Sequence, residues 1–331
     1  MKGRTVWGVR FYRDDDIPDD WVELTLSDAV GSDGGAAAVH VVLPETDPPL
    51  VAKIFNDEIR NRVQTVPGYA DRVFIPALYW DTLREELPFA TWPRRALFDR
   101  REPDAASRNA HLIGFTMERL ENTISLSDLA VHIKNTIPLL RKAHGPDREA
   151  VYHICAKMAE QLAELHRHRW GFVFGDMSPN NIHVSRNWRD VYFIDTDSYQ
   201  FSAGKGRYPF PLYGLTPNFI SPGANALLNA NKMVTAAHDD FVLAIHIFIL
   251  LTADAGIVCH PFKEEDDFIE QRLFPFETSP PDVNPALVEV YQSFPAAFRD
   301  AFRKTFTTST PVTAQEWVTI ITDQRRLLWR S

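Results

Sequence analysis

The chain has 331 residues, 45% of them hydrophobic, and a formal net charge of −9. That apolar content suffices for one large or two moderate domains, and the acidic balance argues against a nucleic-acid partner, because gripping a phosphate backbone needs a basic surface. Cys155 and Cys259 stand alone and far apart, so neither a disulfide framework nor a cysteine metal site is expected, and a reducing cytoplasm fits.

The N-terminus, MKGRTVWGVRFYRDDD, lacks the apolar core of a secretory signal. Residues 1–22 read as an acidic, proline-containing lead-in, with a short strand where Trp7, Val9 and Phe11 alternate with Gly8 and Arg10. Further strands are expected over residues 22–26, 39–43 and 50–55. The turn before the second of these, VGSDGGAAAV, is made of small residues that include Gly34 and Gly35. Backbone N–H groups in such a turn can approach a phosphate. The strand at 50–55 carries a lone charge, Lys53; taken by itself, that is an ordinary edge-strand lysine.

Asn56 is a fair N-cap for a helix over residues 57–66, ended by Pro67. A second helix is expected over residues 77–87, after Pro76. In FATWPRRALFD, Pro93 breaks any helix. Residues 111–117, HLIGFTM, form an apolar strand that exits into Glu118-Arg119-Leu120. Ser125 or Ser127 starts a helix running toward residue 140. The strongest helix spans residues 148–167, where Val151, Ile154, Cys155, Met158, Leu162 and Leu165 make one apolar stripe. The stripe is core rather than a cofactor face.

The chemistry concentrates in residues 174–200, FGDMSPNNIHVSRNWRDVYFIDTDSYQ. Asp176 and Asn181 lie in a loop that ends in the apolar run Ile182-His183-Val184. A turn at 185–190 follows, and a second run, Val191-Tyr192-Phe193-Ile194, delivers Asp195. This is a hairpin with polar residues at its open end. Two carboxylates and a carboxamide suit a hard cation with oxygen ligands, such as magnesium with a nucleotide phosphate. The bland alternative is a surface hairpin rich in Asp and Asn. Residues 198–223 are rich in Gly, Pro and Tyr and read as a long functional loop. An apolar run over residues 241–251, interrupted by His246, is too short to span a bilayer and suits a helix buried on every face. Phe294, Phe298, Phe302 and Trp317 suggest two closing amphipathic helices.

The order and spacing of Asp176, Asn181 and Asp195 resemble the catalytic loop and metal-binding motif of the protein-kinase superfamily. GDxxxxN followed by IDTDSYQ is most similar to a bacterial kinase-like family with an IDxDSxQ signature. Some of its members carry helix-hairpin-helix tails, and some are encoded near tellurium-resistance-type genes. The resemblance implies an α+β, bilobal protein-kinase-like fold. Residues 1–120 would form a small antiparallel β-sheet N-lobe with an N-terminal extension, and residues 121–331 a mainly helical C-lobe. Asp176 would be the catalytic base, Asn181 and Asp195 would hold Mg²⁺, and Lys53 would pair the α- and β-phosphates of ATP. Gly34, Gly35, Val39 and Val51 would line the nucleotide. Met117 would be the gatekeeper, and the backbone of Glu118 and Leu120 would face the adenine edge. The glutamate that pairs with Lys53 stays open among Glu58, Glu85 and Glu86. The 198–223 loop would be the activation segment, and Asp239 would accept hydrogen bonds from catalytic-loop N–H groups. His260-Pro261-Phe262 matches the family's HPF.

Several positions depart from the pattern. A GxGxxGxV glycine loop would put Gly at 32, 34 and 37, and only Gly34 matches. Thr196 and Asp197 stand where Phe and Gly are usual. Ser178 replaces a lysine that points at the γ-phosphate. Gly223 replaces a glutamate, and the arginine that would pair with it is also missing near Thr310-Pro311. Gly175 replaces the arginine that receives an activation-loop phosphate, so activity independent of loop phosphorylation is expected. The reading is ATP- and Mg²⁺-dependent transfer to Ser/Thr hydroxyls of a protein substrate or signalling partner, with autophosphorylation. The place of action would be the cytoplasm, without nucleic acid or membrane. The alternatives are a nucleotide-binding pseudokinase scaffold and a small-molecule phosphotransferase. The latter shares GDxxxxN, but the long 198–223 loop favours protein substrates.

Overall fold

The computed structural model describes residues 3–12, 19–30, 37–144, 148–203, 208–212, 214–262, 266–278 and 284–328. Gly34 and Gly35 fall outside the described residues. The chain divides into two compact units, one of Met1–Glu121 with Ile194–Asp197, the other of Asn122–Phe193 with Ser198–Ser331.

In the first unit, alternating apolar residues make six strands: β1 (Arg4–Arg10), β2 (Asp20–Ala29), β3 (Ala37–Leu43), β4 (Leu50–Phe55), β5 (Arg95–Phe98) and β6 (Leu112–Glu118). They pair antiparallel in the order β1-β2-β3-β4-β6-β5, and β1 closes on β5 through Trp7↔Phe98, Gly8↔Leu97 and Val9↔Ala96. The small antiparallel sheet expected from the sequence closes into a barrel, and the expected lead-in supplies one of its staves. Closure satisfies the hydrogen-bonding edges that an open sheet leaves exposed. Two apolar clusters share the strands. Val6, Leu26, Leu50, Ala52, Ile54, Leu97 and Ile113 form one, and Val9, Phe55, Ala96, Phe98 and Phe115 belong to the other. The period-two alternation of β4 places Lys53 on the Phe55 face.

That second cluster takes in Val63, Ala70 and Val73 from the helices α1 (Asp57–Thr65) and α2 (Asp71–Leu78). Asn56 caps α1 as its sequence demands, its side chain accepting from the Ile59 N–H at 2.9 Å. The single helix expected over residues 77–87 is instead two, α2 and α3 (Trp80–Glu86), broken at Tyr79. Pro76 lies inside α2 rather than ahead of a helix; it lacks the N–H that would continue the ladder. A single turn, α4 (Arg108–His111), precedes β6.

The second unit is mainly helical. A small sheet, β7 (Thr123–Ser125), β8 (Ile182–Ser185) and β9 (Val191–Phe193), carries the expected hairpin. Helix α5 (Leu126–His144) opens with Ser125 Oγ accepting from the Asp128 N–H at 3.1 Å, which selects Ser125 over Ser127 as the cap. Helix α6 (Arg148–Arg167) has the expected bounds, and its stripe is buried throughout. The 198–223 loop contains a short hairpin, β10 (Phe201–Ala203) with β11 (Tyr208–Phe210). After α7 (Ala224–Asn229) comes α8 (Ala236–Asp254), with the composition and length of a membrane span but 83% buried within the protein. It is a core helix.

The chain closes through two short helices, α9 (Asp266–Glu270) and α10 (Pro275–Thr278), then α11 (Pro285–Gln292), α12 (Ala296–Thr307) and α13 (Ala314–Leu328). Phe294 precedes α12 rather than belonging to it. Its ring, with Phe274, Tyr291 and Phe302, surrounds Phe248 of α8. A reciprocal pair starts α13: Glu316 Oε2 accepts from the Thr313 N–H at 2.7 Å, and Thr313 Oγ1 accepts from the Glu316 N–H at 3.2 Å. Cys155 is buried and Cys259 half-buried, and both are free thiols.

Candidate active site

Lys53 occupies the middle of a strand buried along its whole length, and only 7% of the residue is exposed. An ammonium there must be paired. Its Nζ donates to Asp195 Oδ1 and to Asp197 Oδ1, the latter at 2.8 Å, and lies over the Phe115 ring. Burial pulls the lysine pKa down, but the two carboxylates outweigh it and hold the value above the ordinary one. Burial pushes the Asp197 carboxyl up, Lys53 pulls it back, and Asp195 pushes it up again. Neither Glu58 nor Glu85 nor Glu86 is the partner of Lys53; Glu58 pairs with Arg62 on its own helix.

The backbone around Lys53 is equally constrained. Val39 faces it across β3, and Phe115 across β6. At the next pair, Ile54↔Gly114, a Cβ on Gly114 would run into the Lys53 carbonyl oxygen. Only glycine lets β6 pass this close. The 195–197 segment is tied to the same unit. Asp195 sits at φ +63°, a left-handed conformation that Asp tolerates better than most residues. Thr196 Oγ1 donates to the Thr91 carbonyl at 2.8 Å, and Arg72 Nη1 reaches the Asp197 carbonyl at 3.4 Å.

Val51 pairs with Met117, and Leu50 with Glu118 at the end of β6. The Glu118 carboxylate is ion-paired with Arg84 at 2.8 Å. Arg119 donates its N–H to the Pro49 carbonyl, and Leu120, half-buried, follows.

The second unit holds Asp176 and Asn181. Asp176 Oδ1 accepts from the Thr216 N–H at 2.9 Å and from the Thr216 hydroxyl at 2.6 Å. Asn181 Nδ2 donates to the Asp176 carbonyl at 2.9 Å and lies 3.5 Å from Asp176 Oδ2. With its N–H₂ directed at two Asp176 oxygens, the Asn181 side chain has its amide oxygen left as an acceptor or ligand atom.

Three side chains of α8 hold this loop by its backbone. Asp239, fully buried, accepts the N–H of Phe174 at 2.7 Å and of Gly175 at 2.8 Å, and also pairs with His166 Nε2 at 2.9 Å. His238 donates Nε2–H to the Gly175 carbonyl at 2.9 Å while its Nδ1 accepts from the Ser221 N–H. His246 donates Nε2–H to the Met177 carbonyl at 2.8 Å. Gly175 has φ +72°, and a Cβ there would collide with Leu212, so the position is closed to arginine for reasons of shape.

Among the described residues no group of three or more His, Cys, Asp or Glu side chains is placed to hold a metal ion. Magnesium does not require one, since it takes one or two carboxylates and fills the rest of its octahedron with phosphate and water. Asp195, its side chain 31% exposed, and the Asn181 amide oxygen are donors of the right hardness.

No protein-family model and no curated protein matches the sequence. Among solved structures the chain is similar to a rhoptry kinase from Toxoplasma gondii, with a TM-score of 0.61 and 12% identity over 99% of this chain and 84% of that one. The fold is protein-kinase-like. That agrees with the fold expected from the motifs; the IDxDSxQ family rests on the motifs alone. Asp197, Arg72, Thr216, His238 and His246 have no role in the pattern expected from the sequence. A signal existed for two of these, since a polar His-Asp pair and a mid-helix histidine in an otherwise apolar helix need buried partners.

Proposed function

We propose that the chain is an ATP- and Mg²⁺-dependent kinase acting on Ser/Thr hydroxyls of a protein substrate, itself included. The observation that carries this reading is the Asp176 carboxylate, which accepts an aliphatic hydroxyl, that of Thr216, at 2.6 Å. This is the distance at which a carboxylate can take an acceptor's proton, and it lies in a loop fixed through its backbone on a kinase-like fold. Lys53 would pair the α- and β-phosphates, and Asn181 and Asp195 would hold Mg²⁺. Gly34, Gly35, Val39 and Val51 would enclose the nucleotide, with Met117 as gatekeeper and the backbone of Glu118 and Leu120 on the adenine edge. MgATP, when bound, would supply the γ-phosphoryl group, with ADP as the leaving group and the metal offsetting the phosphate charge. Asp176 orients the acceptor oxygen and takes its proton late. Two free cysteines support a reducing, cytoplasmic setting.

A second reading, a nucleotide-binding pseudokinase, draws on Ser178, which is 6% exposed and puts no cation where a γ-phosphate would need one. Phosphosite mapping after incubation with Mg²⁺ and ATP, beside Asp176→Ala, decides between them. New phosphate in the wild type and none in the variant is the expected result. An ATP-induced rise in melting temperature without any phosphate would favour the pseudokinase.

A further inference from the structure

A buried lysine that positions phosphates needs a counter-charge that stays in place while the metal site fills. Three helical glutamates were candidates from the sequence, and none is on Lys53. Helix α2 brings a cation instead: Arg72, 2% exposed, with its guanidinium near the Tyr69 ring and Nη1 at the Asp197 carbonyl. Both carboxylates on Lys53 come from the 195–197 segment. The charge pattern is inverted, with arginine on the helix and the acids beside the metal-binding position.

We propose that Asp197 is the positioning residue for Lys53, in place of a helical glutamate, so that one short segment both offers Asp195 to a cation and orients the lysine. The inference rests on the kinase reading above. Charge counting supports it. Lys53 carries one positive charge and meets two carboxylates, so if Asp195 turns to a cation, Asp197 still satisfies the ammonium. Exposure divides the roles the same way, since the Asp195 side chain is 31% exposed and that of Asp197 15%. The segment is also anchored independently of Lys53, through Thr196 on the Thr91 carbonyl and Arg72 on the Asp197 carbonyl. Lys53 is therefore oriented by residues of a fixed turn, without any helix having to swing a glutamate into place.

The test combines a double-mutant cycle with nucleotide binding in the full chain. Asp197→Asn keeps the shape and leaves Lys53 paired with Asp195, so it should fold. In urea unfolding without nucleotide, the midpoint losses of Lys53→Met and Asp197→Asn should be non-additive, as for side chains in contact. Glu58→Gln, Glu85→Gln and Glu86→Gln should each be additive with Lys53→Met. The dissociation constant of a fluorescent ATP analogue in Mg²⁺ should rise about tenfold in Asp197→Asn, recover in large part in Asp197→Glu, and stay unchanged in the three glutamine variants. Additivity of Lys53→Met with Asp197→Asn, or an equal effect from any of the glutamates, overturns the proposal. Non-additivity with unchanged nucleotide affinity would keep Asp197 as the anchor of Lys53 and sink instead the assignment of Lys53 to ATP.

Discussion

Asp239 accepts the Gly175 N–H at 2.8 Å from the first turn of α8, and with the same carboxylate it accepts the Phe174 N–H and pairs with His166. Burial pulls the His166 pKa down, and Asp239 more than restores it, leaving the ring more basic than usual. Asp239→Ala would strand two buried N–H groups and a half-buried imidazole. Breaking such a network costs about 3–5 kcal/mol. Urea unfolding should show a loss of that order, with nucleotide-dependent phosphorylation abolished. A loss below about 1 kcal/mol, the range of exposed pairs, would mean that the loop holds its shape without α8.

His246 gives the loop a pH limit. Burial pushes its pKa down to about 4, against the opposing bond to the Met177 carbonyl. The folded-state value lies below the unfolded one of 6.5, so folding favours the neutral ring. That stability is fully present above pH 6.5 and drains as pH falls toward 4, up to about 3 kcal/mol by linkage. Asp240 slopes the other way. Burial raises it to about 6 although His166 opposes the rise, so its contribution is present below 3.8 and lost as pH climbs through 6. The measurement is therefore a difference: unfolding free energy from pH 7 to pH 4.5 in wild type and in His246→Gln, which keeps a donor for Met177. The variant should lose less on acidification, and parallel curves would remove His246 as the cause.

What could be read from the sequence was local. The stripe of α6, the Asn56 cap of α1 and the hairpin that delivers Asp195 all depend on neighbours within a few turns, where periodicity and capping act directly. The Asp239 clamp was expected from the resemblance alone, and burial supplies its physical reason, since a buried carboxylate at the start of an apolar helix must find donors. Barrel closure was not, since it pairs Trp7 with Phe98 through a register that no short stretch encodes. Asp197 was hidden differently. Read as a substitute for glycine, it looked like a lost feature, whereas its partner lies 144 positions away. Thr216 is one of several hydroxyls in residues 198–223, and nothing in the local sequence singles it out; only the fold brings it to Asp176.

Gly175 marks a position where backbone shape decides the residue. The left-handed φ costs a side chain about 1–2 kcal/mol, and a Cβ would meet Leu212, which is 4% exposed. Gly175→Ala should lower the unfolding midpoint, and adding Leu212→Ala should return part of the loss by clearing the space despite its own cavity cost. With no arginine at this position, phosphatase treatment should leave activity largely intact. A large drop on dephosphorylation would show that another cation reads the segment's phosphate.

Thr216 tests how Asp176, the proposed base, is held. Its N–H and its hydroxyl both donate to Asp176 Oδ1, which fixes the carboxylate and leaves Oδ2 beside the Asn181 amide. If this pair only stabilised the segment, Thr216→Val, which removes the hydroxyl and keeps the volume, would lower the melting temperature and leave turnover per folded molecule unchanged. If it orients the base, kcat should fall about tenfold, the scale of one hydrogen bond to a charged group, with KM for ATP unchanged. Thr216→Ser retains the donor and should stay near wild type. A loss in Thr216→Ser with wild-type turnover in Thr216→Val would assign the effect to packing by the methyl group, which valine keeps and serine lacks, and take the hydroxyl out of the mechanism.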